Sequence, residues 1–375
     1  MSGPQLAIIG LGATGSAAIF QLARRGVSAT GFEQFAIGHD RGSSHGPTRI
    51  IRLAHFENAS YVPLMRRAYA LWRKLEHDAD EKLLHLTGIA EIGPTDGIII
   101  QGTIAAARKY ALEPEIVDAR DLMRRYPAFD IPTNYKAVLQ TDGGYIEAAK
   151  AIAANIRVAA GGGAIIRTGE KVLQIEARVD NVRIITDRED YKFDGVIIAT
   201  GPWLRDLVPA LRLPLQVTRQ VVAWFEPDDV AKFTPEVFPV FILESRYGNH
   251  YGFPAYGKSG VKFAKHHHRQ EIVEPDHYER RVSGADEAAI RAPLEEFLPG
   301  ANGRLLSAQT CLYTMTPDDT FIVDRIPGFP HIVIASPCCG HGFKFSPVIG
   351  EIVADLVTEQ TTDFDISQFR LSRFA

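Results

Sequence analysis

Cysteine is scarce in this 375-residue sequence, with only Cys311, Cys338 and Cys339, and this scarcity excludes a disulfide framework. Free thiols suit a reducing cytoplasm, where we expect the protein to work. Long apolar runs are also missing, since no stretch approaches the ~20 residues that span a bilayer. The N-terminal sequence MSGPQ has neither the charged region nor the cleavage site of a signal peptide, so we predict no export and no membrane association.

A charge excess of either sign is absent as well. Lys and Arg number 41 and Asp and Glu number 45, which leaves a formal net charge of −4. This balance argues against nucleic acid or an anionic membrane as a partner, although it permits a local basic pocket. Hydrophobic residues make up 46% of the chain, as in ordinary globular proteins, and a chain of this length predicts two domains.

The first strong motif is AIIGLGATGS at residues 7–16. An apolar run ends at Gly10, and Gly12 and Gly15 complete the pattern G-x-G-x-x-G before a helical stretch. Glycines at this spacing allow a tight turn, a close approach of the backbone to a pyrophosphate, and close packing of helix on strand. A second apolar run ends at Glu33, whose carboxylate can accept hydrogen bonds from a ribose. The pattern predicts dinucleotide binding and leaves the kind of dinucleotide open.

Backbone suited to a large cofactor recurs later in the chain. The apolar run 195–199 ends in Thr-Gly-Pro-Trp, and the run 331–335 leads through SPCCGHGFKFS into an apolar helix. Strands without intervening helices fill much of 216–265. We therefore predict an α/β fold with two domains. A Rossmann-like, dinucleotide-binding domain comprises 1–83, 145–215 and 305–375, and a mostly antiparallel sheet forms a substrate domain from 84–144 and 216–304.

Two basic stretches invite a functional interpretation. In the loop GSSHGPTRIIR, residues 42–52, Arg49 and Arg52 are three positions apart and would share a face on one helical turn beside the predicted phosphate site. The three consecutive histidines at 266–268 do not favour a metal site, because consecutive residues of a strand point to opposite faces.

Four segments together resemble one family. They are the glycine motif with Glu33, the loop GSSHGPTRIIR, the stretch TCLYTMTPDDTFIVD around Cys311, and CGHGFKFSPVIGE near the C-terminus. Over residues 5–370 the chain resembles the monomeric sarcosine oxidase and N-methyl amino acid oxidase family of D-amino-acid-oxidase-like flavoproteins. The resemblance implies a fold related to D-amino acid oxidase and glutathione reductase, with FAD as the cofactor. It also implies a covalent thioether from Cys311 to the 8α-methyl group of the flavin.

The resemblance implies a role for each matching residue. Arg52 and Lys344 match the pair that holds the substrate carboxylate, and Lys262 matches the lysine that promotes reaction with oxygen. The positions implied to be catalytic are Lys262, Arg49, His266, Tyr251 and Tyr313, of which Tyr251 also contacts the substrate. Besides Cys311, the positions implied to bind the cofactor are Gly10, Gly12, Gly15, Glu33, Ser44, Thr48, Arg49, Val172, Gly201, Gly340, Gly342, Phe343 and Lys344.

The implied reaction is oxidation of a secondary, N-methyl or N-alkyl amino acid. A hydride equivalent leaves the carbon next to nitrogen for FAD, the resulting imine is hydrolysed, and O₂ becomes hydrogen peroxide. The expected partners are therefore a small amino acid and O₂, with no nucleic acid, membrane or metal. A monomer is expected.

Several alternatives remain open at this point. Pro47 lies where sarcosine oxidases carry an acidic residue, which puts sarcosine itself in doubt and leaves larger N-alkyl and cyclic imino acids as candidates. A deglycating oxidase for fructosyl amino acids would use the same chemistry, and a flavin dehydrogenase would pass electrons to another acceptor. An NAD-dependent dehydrogenase explains the glycine motif and Glu33, but it does not explain Cys311 or the GHGFK stretch. Cys338 and Cys339 have no predicted role.

Overall fold

The computed structural model describes residues 3–256 and 260–374. Its strands are β1 Gln5–Ile9, β2 Ser28–Glu33, β3 Thr48–Ile51, β4 Leu84–His85, β5 Ile89–Pro94, β6 Glu115–Asp118, β7 Tyr135–Gln140, β8 Gly144–Glu147, β9 Ile165–Thr168, β10 Val172–Ala177, β11 Val182–Thr186, β12 Asp190–Phe193, β13 Gly195–Ile198, β14 Gln216–Phe225, β15 Val240–Ser245, β16 Gly248–Phe253, β17 Val261–Lys265, β18 Leu305–Met315, β19 Ile322–Ile326 and β20 Phe329–Ser336. Its α-helices are α1 Ala13–Arg24, α2 Tyr61–Ala79, α3 Ile98–Lys109, α4 Ala119–Arg125, α5 Ala148–Gly161, α6 Leu204–Leu207, α7 Gly284–Phe297 and α8 Ser346–Thr358.

A six-stranded sheet forms the first layer, in the order β19-β20-β13-β1-β2-β9. Neighbouring strands in this sheet are parallel, except that β19 pairs with β20 in an antiparallel direction at one edge. The strands come from the beginning, the middle and the end of the chain. Side chains alternate along β1, so Leu6 and Ile8 join the core beneath α1, α5 and α8, while Ala7 and Ile9 face the core beneath β10–β12.

An eight-stranded sheet forms the second layer, in the order β18-β14-β17-β16-β15-β5-β7-β6. Only the pair β15 and β5 is parallel, so the predicted, mostly antiparallel sheet is confirmed. Its core is rich in phenylalanine, and Ile290, Leu294 and Phe297 of α7 pack into it. The two sheets together give the mixed α/β architecture that the sequence indicates.

Strand β18 begins at the domain boundary predicted at residue 305 and pairs with the sheet on the other side of that boundary. The sequence assigned 305–375 to the dinucleotide-binding domain, yet β18 pairs along its whole length with β14 in the eight-stranded sheet. Cys311 on β18 therefore belongs to the sheet of the predicted substrate domain. The last strands and helix of the chain, β19, β20 and α8, belong to the six-stranded layer.

A small sheet in the order β3-β8-β4 carries the arginines of the loop GSSHGPTRIIR. Strand β3 contains Arg49 and is followed at once by Arg52. Antiparallel pairing of β3 with β8 fixes the direction of this segment. The pairing thereby fixes where Arg49 and Arg52 lie along this segment.

Candidate active site

The turn between β1 and α1 is built for close contact with a ligand. Gly10 has φ +86°, and a Cβ atom there would lie 2.7 Å from the Ala199 carbonyl oxygen at the end of β13. A Cβ on Gly15 would collide with the carbonyl oxygen of Gly10. The N-cap residue of helix α1 is Gly12, which has no side chain to cap the helix, and the first turn carries no acidic residue. Its free N–H groups and the positive end of its dipole therefore face the turn, where an anion is favoured.

Glu33 at the end of β2 holds this turn in place. It is buried, its Oε2 accepts a hydrogen bond from the Leu11 backbone N–H at 3.0 Å, and its Oε1 accepts one from the Phe35 N–H at 3.1 Å. The carboxylate also lines the cavity described next, and each of its oxygens retains acceptor capacity. Glu33 can therefore fix the loop and accept a ribose hydroxyl at the same time.

One cavity of about 600 Å³ runs from this turn to the eight-stranded sheet. Most of the residues singled out from the sequence line it: Gly10, Gly12, Glu33, Ser44, Arg49, Arg52, Val172, Gly201, Tyr251, Lys262, His266, Cys311, Tyr313, Gly340, Gly342, Phe343 and Lys344. Gly15 and Thr48 do not line the cavity themselves but contact residues that do. Gly15 packs against Gly10, and the Thr48 carbonyl oxygen accepts a hydrogen bond from Lys262.

Arg49 ties the loop before β3 together. Its guanidinium donates to the backbone carbonyl oxygens of Thr48, Ser43 and His45, and it lies over the ring of Phe343. Ser44 Oγ accepts a hydrogen bond from the Ala13 N–H at 3.1 Å, which joins the same loop to the start of α1. These contacts bring the arginine loop, the glycine turn and the C-terminal GHGFK stretch to one wall of the cavity.

Lys262 projects from β17 into the cavity and is only 4% exposed. Its Nζ donates to the Thr48 carbonyl oxygen at 2.8 Å and lies over the rings of Trp224 and Phe253. Burial lowers the pKa of Lys262 well below its ordinary value, and the Arg49 cation lowers it further. A lysine in this state gains a proton when negative charge develops beside it.

Cys311 on β18 is buried, and its Sγ lies 3.7 Å from the carbonyl oxygen of Ser43 in the arginine loop. Burial raises the pKa of the Cys311 thiol, while the nearby cations Arg49 and Lys262 oppose that rise. These two cations are thus the groups that favour a thiolate at this position.

Tyr251, Tyr313 and His266 form an aromatic side of the cavity. The Tyr313 hydroxyl and His266 Nδ1 are 3.4 Å apart, and their rings are tilted against each other. Burial raises the pKa of both tyrosines and lowers that of His266 well below its ordinary value. This side therefore offers neutral aromatic faces at neutral pH. His268, in contrast, binds Asp286 on the far side of the sheet, so the three histidines do not converge.

The structure surrounds Arg52 with two acidic residues that the sequence analysis missed. Its Nη2 is 2.6 Å from both carboxylate oxygens of Glu57, and its Nη1 is 2.6 Å from Glu91 Oε1. The guanidinium is 1% exposed. A signal existed in the sequence, because Glu91 interrupts the apolar run of β5, where an unpaired carboxylate would be destabilising.

Lys344 lies close to this cluster in the C-terminal GHGFK stretch. Its Nζ donates to the His341 carbonyl oxygen at 2.7 Å, and the side chain is buried. Burial, together with the Arg52 cation, lowers the pKa of Lys344 to about 7. Arg52 and Lys344 are therefore two cationic groups on one cavity, although the Arg52 fork is already paired with carboxylates.

Two further cysteines and two histidines lie in or near this cavity. Cys338 lines the cavity next to Ser336, while Cys339 is buried against Thr316. All three cysteines are free. Burial lowers the pKa of His45 to about 4 and that of His341 to about 4, so both rings are neutral at neutral pH.

None of the helices in the described part of the chain has the length and hydropathy that spanning a membrane requires.

Comparisons with known proteins give consistent results. Residues 5–356 match the DAO family, FAD dependent oxidoreductase. Monomeric sarcosine oxidase from Bacillus sp. (strain NS-129) is 37% identical over 373 residues, which cover 98% of this chain and 96% of the relative. N-methyl-L-tryptophan oxidase from Salmonella dublin is 36% identical over 372 residues, with 99% of each chain covered. The solved structure of NikD, an amino acid oxidase essential for nikkomycin biosynthesis, has a TM-score of 0.85 and 26% identity, covering 99% of this chain and 98% of its own.

Proposed function

The chain belongs to the DAO family of FAD-dependent oxidoreductases, and from this premise we propose that it oxidises N-methyl and related secondary amino acids at the C–N bond. The names of its relatives support this substrate class, because sarcosine and N-methyl-L-tryptophan are both N-methyl amino acids. The observation that carries the proposal is the single cavity that unites the glycine turn, Arg52, Lys344, Lys262 and Cys311.

The residues at the glycine turn fit FAD. Gly10 and Gly12 let the turn pack closely against Ala199 and Ser44 at the edge of the cavity, and the start of α1 supplies N–H donors for a pyrophosphate. Glu33 supplies acceptors for a ribose. When bound, FAD supplies the two-electron acceptor that amino acid side chains lack.

Arg52 and Lys344 orient the substrate in this proposal. Both can donate hydrogen bonds to one carboxylate. The planar guanidinium of Arg52 and the ammonium of Lys344 together allow the carboxylate only one orientation. The aromatic faces of Tyr251, Tyr313 and His266 then receive the N-alkyl end. The cationic surroundings disfavour a protonated amine, so the substrate nitrogen keeps its lone pair in the cavity. Holding the reacting carbon in register is itself a large part of the rate enhancement.

Cys311 is the residue that we propose to carry FAD through a thioether. Support comes from its place on the cavity wall and from the cations Arg49 and Lys262, which favour its thiolate. Bond formation removes the thiol proton and one hydrogen of a flavin methyl group, and two electrons pass finally to O₂.

Lys262 is the residue that we propose to promote reaction with O₂. Burial lowers the pKa of its ammonium group, and negative charge that develops on oxygen raises that pKa again, so Lys262 holds a proton whose charge stabilises the oxygen. Hydrogen peroxide is then the second product, beside the imine that water hydrolyses.

We also propose that the enzyme acts as a monomer in the cytoplasm. The name of the Bacillus relative includes the word monomeric, and the three thiols are free. Light scattering of the holoenzyme in reducing buffer should give the mass of one chain, and a dimer mass would contradict this part of the proposal.

A peroxide-coupled screen of the holoenzyme tests the substrate class. The panel pairs each N-methyl amino acid with its unmethylated parent, and it includes cyclic imino acids and fructosyl amino acids. We expect peroxide from N-methyl amino acids and little from the parents. Peroxide from fructosyl amino acids alone would replace the proposal with a deglycating oxidase, and no peroxide from any amine that reduces the flavin would indicate a dehydrogenase.

A further inference from the structure

The two ends of the Arg52 guanidinium have different kinds of partner. The Nη1 end donates to Glu91 Oε1 at 2.6 Å and to the Ala54 carbonyl oxygen at 3.2 Å. The Nη2 end is paired with Glu57 alone, and Nε has no hydrogen-bond partner among the described residues although it is buried. One end is thus fully bonded, while the Nη2–Nε edge depends on a single side chain.

Glu91 is held in place by its strand and by hydrogen bonds to its carboxylate. It lies on β5 in the interior of the eight-stranded sheet and is 0% exposed. Its Oε2 accepts a hydrogen bond from Gln140 Nε2 at 2.7 Å, and Gln140 Oε1 accepts one in turn from the Ala54 N–H at 2.8 Å. Strands β5 and β7 pair directly, so this chain of hydrogen bonds has a rigid base. Glu91 therefore cannot leave Arg52 without breaking the network.

Glu57 is held differently. It lies in the irregular segment between β3 and α2, its side chain is 21% exposed, and it lines the cavity. Apart from Arg52, its carboxylate contacts His55 Nδ1 at 3.3 Å. Glu57 thus occupies Nη2 from the cavity side and leaves the neighbouring Nε without a hydrogen bond in the described part of the chain.

The charge states of the two acids agree with this division. Burial raises the pKa of Glu91 to about 7. Burial also opposes ionisation of Glu57, but the Arg52 cation and His55 hold the pKa of Glu57 well below its ordinary value. Glu57 therefore supplies the countercharge of Arg52, and Glu91 acts mainly as a hydrogen-bond acceptor in a fixed place.

We propose that Glu91 is a positioning residue that holds the Nη1 end of Arg52, so that the Nη2–Nε edge exchanges Glu57 for the carboxylate of the substrate. The inference rests on the proposed function, because it requires Arg52 to recognise a substrate carboxylate. It adds that Glu91 and Gln140 determine the direction of the guanidinium, and that Glu57 competes with the substrate for it.

The test measures how tightly the holoenzyme binds benzoate and neutral benzamide. Binding is monitored through the change in flavin absorbance that each compound causes. The ratio of the two dissociation constants measures carboxylate recognition. Glu91→Met, which removes the acceptor, should reduce the benzoate preference at least tenfold and leave benzamide unchanged. Glu91→Gln, which retains an acceptor oxygen, should stay within threefold of wild type. Glu147→Met is the matched control, because Glu147 is a buried carboxylate paired with Lys150 and His85, and it should retain the full preference.

A second pair of variants keeps the test decisive if Glu91→Met does not fold. Glu57→Gln should bind benzoate at least threefold more tightly than wild type, since a competitor is weakened, whereas Glu91→Gln should not. Tighter binding by Glu91→Gln but not by Glu57→Gln would overturn the proposed division, as would an unchanged preference in Glu91→Met. A wild-type enzyme without any benzoate preference would instead contradict carboxylate recognition itself, and with it both proposals.

Discussion

Lys262, Lys344 and His341 line the same cavity, and burial lowers the pKa of each side chain. The arginines Arg49 and Arg52 add two permanent charges to that cavity. Burial therefore disfavours the protonated form of both lysines, and an anion in the cavity favours it again. Binding of a negatively charged ligand is therefore coupled to proton uptake by these lysines.

Lys344 gives a pH dependence with a definite sign. Its pKa is about 7, so it is mostly protonated below pH 7 and mostly neutral above. Benzoate affinity should be constant below pH 7 and should fall by up to about tenfold per pH unit above it. Titrations of the flavin absorbance across pH 6–9 would measure this, with benzamide as the uncharged ligand that shows no such slope. A benzoate slope that persists in Lys344→Met would assign the titration to another group.

Lys262→Met should slow reoxidation of the reduced enzyme by O₂ far more than it slows reduction by substrate. The reason is that the buried ammonium stabilises charge that develops on oxygen only. Stopped-flow measurement of the two half-reactions separates the effects. Lys265→Met, three residues further along the same strand and partly exposed, is the control and should change neither rate. Equal slowing of both half-reactions by Lys262→Met would contradict a role in oxygen activation.

Cys311→Ala should release the cofactor from the polypeptide. Acid precipitation of the wild-type holoenzyme should leave a yellow pellet, whereas the Cys311→Ala pellet should be colourless and its supernatant yellow. Cys338→Ala is the matched control, since Cys338 also lines the cavity, and its pellet should stay yellow. Colour that remains with the Cys311→Ala pellet would exclude Cys311 as the attachment point.

Sequence reasoning reached many of these residues but not their partners. The motif GSSHGPTRIIR singled out Arg52, because two arginines three apart beside small donors are unusual. It could not reveal that Glu91 of β5 lies against Arg52, because Arg52 follows β3 and the two strands belong to different sheets. For the same reason the paired state of the Arg52 fork follows from the three-dimensional structure alone.

Helix α1 and the turn before it show how one element creates a binding site. The helix begins at Ala13, directly after the extended Gly12, and Gly15 in its first turn has no side chain that would collide with the Gly10 carbonyl oxygen. This close packing brings the first turn of the helix to the cavity wall. An anion bound there would replace the missing side-chain cap.

Gly15→Ala should damage this element specifically. The added methyl group collides with the Gly10 carbonyl oxygen, and such overpacking typically costs about 1–3 kcal/mol. In a Cys311→Ala background, where FAD can dissociate, we expect weaker FAD retention during gel filtration and a lower Tm. Gly161→Ala at the end of α5 meets no neighbouring atom and is the control. Undiminished FAD retention in the Gly15 variant would contradict the role assigned to the turn.

Strands could be assigned to a sheet from the sequence where a local motif marks them, but not where the assignment depends on a distant partner strand. The apolar runs and glycine turns indicated β1, β2, β13 and β20, all of which lie in the six-stranded sheet. Strand β18 was assigned to the wrong sheet. Its alternating sequence fits either sheet, and its partner β14 begins about 90 residues earlier. Pairing over that separation is decided by the packing of the whole chain.

At the scale of the whole molecule, the cavity lies where the two sheets meet. The six-stranded layer contributes the glycine turn and Glu33, and the eight-stranded layer contributes Lys262 and Cys311. Arg52 lies between the layers and is bonded to Glu91 of the second. In the function that we propose, the first sheet would bind the nucleotide part of FAD and the second would place reactive side chains around the substrate.

Anaerobic mixing of the yellow holoenzyme with an N-methyl amino acid tests whether the enzyme oxidises this class of substrate and recognises its carboxylate. We expect the flavin absorbance to bleach with N-methyl amino acids, because they carry the free carboxylate that Arg52 and Lys344 are proposed to hold. The corresponding N-methyl amino acid amides should reduce it far more slowly, and admission of air should restore the colour with one peroxide per flavin. Bleaching that is equally fast with the amides, or absent with every secondary amino acid, would contradict the account.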